Sequence, residues 1–132
     1  MRTWKRLVGL ASSASVIEAG TYRTVARLLD LRADDDLLDI GCGPGGFLDA
    51  ETRHAHRAVG IDASPLMLRA ASRRLADRIT AGTVKLVQGN AASLPFGEAE
   101  FSAAVAIYAP VSPPRLQRSG AVANQECTRH MA

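Results

Sequence analysis

The stretch Leu37-Leu38-Asp39-Ile40-Gly41-Cys42-Gly43-Pro44-Gly45-Gly46 passes from apolar residues through an acid into glycines at every second position. The apolar run reads as a buried strand and the glycines as the turn that leaves it. Glycine tolerates positive φ and has no Cβ. A turn built from Gly41, Gly43 and Gly45 therefore lets a small molecule lie against backbone N–H groups where the next helix starts. The segment is read as a strand that delivers a ligand loop.

The same letters satisfy G-x-G-x-x-G through Gly41, Gly43 and Gly46, a pattern shared by dinucleotide sites and sites for other adenosine-bearing ligands. Val59-Gly60-Ile61-Asp62 is a second apolar strand ending in an acid, 19 residues after Gly43, where a carboxylate can accept from ribose hydroxyls. A third strand is predicted over 83–88, with Gly89-Asn90-Ala91 leaving it on the ligand side. A fourth, over 101–108, is almost continuously apolar, as a strand covered on both faces should be.

With these residues in view, the chain resembles the class I S-adenosylmethionine-dependent methyltransferases, particularly the small-molecule enzymes that write the loop as D-I-G-C-G-P-G. The resemblance covers about 22–108. It rests on Asp39 to Gly45, on Gly60-Ile61-Asp62-Ala63-Ser64-Pro65-Leu66-Met67, on Gly89-Asn90-Ala91 with Leu94-Pro95-Phe96, and on the fourth strand. It implies an α/β fold, a Rossmann-like three-layer sandwich, incomplete, with about four parallel strands in the order 3-2-1-4 and flanking helices. It also implies S-adenosylmethionine as cofactor. Asp39, Gly41, Cys42, Gly43 and Gly45 would lie at its methionine portion, Asp62 at its ribose, and Asn90 and Ala91 at its adenine; Ala63 would belong to the same cofactor site, and Ala106 would border the reacting methyl group. The implied activity is methyl transfer to an unidentified small-molecule acceptor. Neither a catalytic base nor a metal ligand is named, and Tyr108 is the residue expected nearest the acceptor. The chain departs from the family's habit at Asn90 and at Ser102, where Asp is commoner.

Beside the resemblance stands an electrostatic argument. A pyrophosphate is already negative, so an acid at the end of the first strand would repel a dinucleotide and attract a ligand carrying an ammonium and a sulfonium. An NAD-dependent oxidoreductase remains the distant alternative. A noncatalytic or truncated S-adenosylmethionine-binding domain is the nearer one.

At 132 residues, with 47% hydrophobic and 22% charged residues and a formal charge of +3, the chain has room for one modest domain. Arg and Lys are interleaved with acids and carry no aromatic run, so a nucleic-acid surface is not indicated. Cys42 and Cys127 form no C-x-x-C pair, so a reduced, cytoplasmic setting is expected, with Cys42 a small packed side chain beside the loop. The apolar run after Arg2, Lys5 and Arg6 is shorter than the roughly 7–15 residues an export signal needs, and no stretch is long enough to span a membrane.

Three regions are expected: 1–20, a helix or lid at the amino end; 21–109, the S-adenosylmethionine-binding domain; and 110–132, an irregular tail. Residues 21–31 read as an amphipathic helix whose Tyr22 could reach the cofactor, and Asp34-Asp35-Asp36 as a solvated turn. Ser64-Pro65 opens a helix, with Leu66, Met67, Ala70, Ala71, Leu75 and Ile79 on its buried side and Arg69, Arg73, Arg74 and Arg78 on its wet one. His54 and His56 should be exposed. The tail looks foreign to the fold, as though the chain were cut short after the fourth strand. That strand would then be an exposed edge prone to self-association.

Overall fold

In a computed structural model, residues 6–9, 19–96 and 100–107 are described; Trp4, Glu98, Tyr108, Cys127 and the expected tail lie outside them. Among the described residues five strands, β1 (Arg6–Gly9), β2 (Asp36–Ile40), β3 (Arg57–Asp62), β4 (Val84–Gln88) and β5 (Ala103–Ala106), form one sheet in the order β1-β5-β2-β3-β4. Every pairing is parallel. The four strands read from the sequence lie in the expected order, with β2 as their first.

The added strand corrects two expectations. Where a helix or lid was expected, Arg6–Gly9 is extended and pairs with β5 from Arg6↔Ala103 to Gly9↔Ala106. β5 is therefore flanked on both sides, by β1 and β2, and is not the edge of the sheet.

Strand periodicity distributes the core over both faces. Leu37, Ala58, Val84, Ala103 and Val105 face one cluster, completed by Val25 and Leu29 of α1 (Ala19–Leu29), Phe47 and Leu48 of α2 (Gly46–Glu51), and Ala71 of α3 (Pro65–Arg74). Leu38, Ile40, Val59, Ile61, Ala104 and Ala106 face a second cluster that Phe101, Ala91, Leu94 and Phe96 complete. The near-continuous apolar character of β2, β3 and β5 follows, because both sides of each strand are buried.

The helix after Ser64 starts as its sequence requires. Ser64 Oγ accepts from Met67 N–H at 3.3 Å, and Pro65 occupies the first turn. It then breaks at Leu75 (φ −105°, ψ 16°), and a separate helix, α4 (Ala76–Thr80), follows. Two side-chain placements differ from the sequence reading. Leu66, expected inside, is 63% exposed, and Arg78, expected in water, turns towards α2.

The acidic run 34–36 is not a solvated turn throughout. Asp35 is only 2% exposed; it accepts from Arg32 N–H at 2.8 Å and from Ser102 Oγ at 2.7 Å. Ser102 Oγ also accepts from Asp36 N–H at 3.0 Å, and Ser102 N–H donates to Asp36 O at 2.9 Å. The residue standing where Asp is commoner thus ties the start of β2 to the start of β5.

Candidate functional site

The strand ends Ile40, Asp62, Gln88 and Ala106 share one edge of the parallel sheet, where α/β folds place their ligands. The glycine turn closes over that edge. Gly41 N–H and Cys42 N–H both donate to Ile61 O, at 2.8 and 3.0 Å, and Gly45 N–H donates to Cys42 O at 3.1 Å. Gly43 N–H donates to Asp62 Oδ2 at 2.8 Å, while Asp62 Oδ1 accepts from Ser64 N–H at 2.9 Å.

These bonds revise the loop's role. Read from the sequence, its N–H groups face a ligand; in the structure those of Gly41, Cys42, Gly43 and Gly45 are spent internally, and Pro44 has none. A phosphate cradle depends on free backbone donors. What this loop presents instead is a thin surface without side chains, bordered by acids. Gly45, with φ of 88°, is its most constrained member: a Cβ there would lie 3.0 Å from Leu75 Cδ1 and 3.3 Å from Ala71 Cβ. The position demands both a left-handed backbone and an absent side chain.

Asp39 sits at the centre. It alternates along β2 onto the face shared by the helices, opposite Gly60 and two residues short of the end of β3. It is 1% exposed, and its Oδ1 has no hydrogen-bond partner among the described residues. Burial, and after it the charge of Asp62, push its carboxyl up to about 8. A carboxylate that capped the loop amides would bond at Oδ1, and no such bond is made among the described residues. A carboxylate buried with an unsatisfied oxygen is costly unless a cationic partner arrives.

Cys42 is buried beside it, and burial pushes its thiol up, with Asp39 and Asp62 adding to the effect, so it stays protonated and unreactive. Its Sγ occupies the space of the missing Gly60 side chain, 2.8 Å from where a Cβ would stand. This is the packed small side chain expected from the sequence.

Asn90 follows Gly89, whose N–H donates to Asp62 O at 3.1 Å, so the turn after β4 lies beside the end of β3. Asn90 is exposed, and its Oδ1 accepts from Ala92 N–H at 2.8 Å. Its NH2 group and remaining lone pair are what it offers a ligand. Ala63 O accepts from Gln88 Nε2 at 3.4 Å. Ala91 and Ala106 turn into the second core cluster, leaving their backbones for any contact at the edge. Tyr22 reaches the loop's far end: its Oη lies 2.8 Å from where a Gly46 Cβ would stand, and its ring meets Phe47 edge to face at 5.8 Å. His54 and His56 are exposed, as expected.

A parallel sheet with this strand order, a glycine turn at its carboxyl edge and an acid at the end of each of the two central strands defines a Rossmann-like domain of the class I methyltransferase type. The family model for the methyltransferase domain matches residues 37–131, and the chain belongs to that family. It is similar to 24-methylenesterol C-methyltransferase 2 of Oryza sativa subsp. japonica, 35% identical over 94 residues, which are 70% of this chain and 26% of that protein. It is similar also to the O-methyltransferase resE of Aspergillus sclerotiorum, 32% identical over 100 residues, 73% of this chain and 38% of that protein. Among solved structures, a methyltransferase from Thiobacillus denitrificans in complex with S-adenosyl-L-homocysteine superposes with a TM-score of 0.64 at 26% identity, covering 79% of this chain and 44% of that one. The chain spans 19–38% of the length of the curated relatives it matches.

Proposed function

We propose that this chain is the cofactor-binding part of an S-adenosylmethionine-dependent methyltransferase acting on a small-molecule acceptor in the cytoplasm. The observation that carries the reading is Asp39: a buried carboxyl group with an oxygen unpartnered among the described residues, beside a glycine loop whose own donors are already used. Such a pocket suits a cation better than a phosphate, which favours a sulfonium amino acid over NAD. The residues present fit that group.

When bound, S-adenosylmethionine supplies a methyl group already activated on a positive sulfur. The chain's own residues then have to bind and orient. Asp39 takes up positive charge at the loop, and Asp62 turns its remaining lone pairs to the ribose while holding Gly43 in place. Asn90 and the backbone of Ala63 and Ala91 border the base, and Ala106 closes the edge towards the acceptor. A pre-activated methyl needs little beyond a near-attack arrangement, so the absence of an evident base in the sequence does not count against transfer.

The two curated relatives act, by name, at carbon and at oxygen. Cofactor binding is what they would share with this chain, and the acceptor atom is left open. A second reading is a domain that binds the cofactor without turnover. Among the described residues the sheet ends at β1 and β4, so any self-association there would use one of those strands and not the internal β5.

Isothermal titration of the purified chain with S-adenosylhomocysteine tests the reading. One-site binding that NAD does not compete away supports it; no binding, or preference for NAD, overturns it. Methylation assays then separate the two readings.

A further inference from the structure

Arg78 has no part in the ligand edge, yet it is bonded to the element that carries the loop. Its Nη1 donates to Leu48 O at 2.6 Å, and its Nη2 donates to Thr52 O at 3.0 Å and to Thr52 Oγ1 at 2.9 Å. Thr52 Oγ1 in turn donates to Leu48 O at 2.5 Å. Leu48 and Thr52 form the end of α2, where a helix leaves carbonyls without partners and welcomes positive charge.

α2 needs that support. It has six residues, its N-cap Gly45 offers no side-chain cap, and a helix this short does not hold itself together in water. Its first residues are the last of the glycine loop, and Asp49 N–H reaches back to Gly45 O at 3.0 Å. Leu75, at the break between α3 and α4, packs on Gly45, while Arg78, one turn later, grips the other end of α2. The same turn of chain therefore clamps the short helix at both ends.

We infer that Arg78 is a positioning residue for the ligand loop: its guanidinium fork fixes the carboxyl end of α2 and so sets the loop that α2 carries. This rests on the reading of that loop as the cofactor site. Arg78 touches no ligand and acts through Leu48 and Thr52. Lysine keeps the charge but cannot satisfy three acceptors from a rigid plane, so Arg78→Lys should retain only part of the effect.

The test compares Arg78→Lys and Arg78→Met with Phe101→Leu, a core change at the opposite, amino-terminal end of the strands that serves as a stability-matched control. Amide hydrogen exchange on the ligand-free chain should show Gly45 and Asp49 opening about tenfold faster relative to Leu38 in the Arg78 variants, Met more than Lys, with no such local change in Phe101→Leu. Affinity for S-adenosylhomocysteine, measured well below the melting temperature, should fall several-fold in the same order and hold in the control. Uniform acceleration in all three variants, or equal loss of affinity in the control, overturns the inference. If the wild-type chain binds no S-adenosylhomocysteine, the proposed function falls, and the exchange comparison still decides the role of Arg78. Should Arg78→Met fail to fold, the Lys variant carries the comparison alone.

Discussion

Gly43 donates its backbone N–H to Asp62 Oδ2 at 2.8 Å across 19 residues of chain, so the ligand loop is fastened to the very carboxylate expected to hold a ribose. The same carboxylate takes the Ser64 N–H at 2.9 Å, where the next helix begins. One side chain thus joins the turn after β2 to the turn after β3.

Replacing Asp62 should therefore disturb folding and binding together. Asp62→Ala leaves the Gly43 and Ser64 N–H groups without their acceptor and is expected to cost about 1–3 kcal/mol of stability, read by urea denaturation. Affinity for S-adenosylhomocysteine should drop by about tenfold or more in the folded fraction, read by titration calorimetry. A variant with normal affinity would remove Asp62 from the site.

Asp39 makes stability depend on pH. Its carboxyl has an ordinary value of 3.8 and rises to about 8 in the folded protein. Between these values the unfolded chain has released the proton that the folded chain still holds, so rising pH favours unfolding at up to about 1.4 kcal/mol per unit. The stability contributed by protonated Asp39 is full at acid pH, is lost progressively as pH climbs towards 8, and changes no further above it. Asp39→Asn, neutral throughout, should gain on the wild type as pH rises from 5 to 8 in paired denaturation curves. It should also bind S-adenosylmethionine more weakly. Parallel pH curves for the two proteins would contradict this account.

Gly60 leaves room for Cys42. A methyl group there would sit 2.8 Å from Cys42 Sγ and 2.9 Å from Leu48 Cδ1, so Gly60→Ala should destabilise by about 1–3 kcal/mol through overpacking. Combining it with Cys42→Ala removes the closest of these contacts, that with Sγ, while Cys42 Cβ at 3.0 Å and Leu48 Cδ1 remain. The pair should cost less than the sum of the single changes, a coupling that a double-mutant cycle in thermal denaturation measures.

Ser102→Ala removes the hydroxyl that donates to Asp35 Oδ1 and accepts from Asp36 N–H. A loss of about 1–3 kcal/mol is expected, since Asp35 is buried and charge-assisted bonds lie in that range. An unchanged denaturation midpoint would show that the tie between β2 and β5 is dispensable.

Much of this arrangement was legible in the residues. Glycine spacing, two terminal acids and near-continuous apolar runs marked four strands, because few other chemistries make an apolar run end in acid and glycine; their order followed from the resemblance to the methyltransferase family. What escaped depended on contacts between distant segments. Arg78 stands four residues after Arg74, so on one unbroken helix it would share the wet face; only the break at Leu75 turns it towards α2. Asp35 sits among charges and reads as solvated, and its burial is settled by Ser102, 67 residues away. The loop's N–H groups could be placed in the turn, but their partner, Ile61 O, belongs to the neighbouring strand and carries no sequence signal. β1 escaped because four residues beside a basic cluster show no period of their own.

The pairing of Arg6 with Ala103 has a kinetic corollary. Strands β2, β3 and β4 follow one another along the chain and can zip locally, whereas β5 must slot between a strand already placed and one made almost a hundred residues earlier. Closure of so long a loop slows assembly. During synthesis, the nascent polypeptide has to keep its first strand uncommitted until residue 106 has cleared the ribosomal exit tunnel.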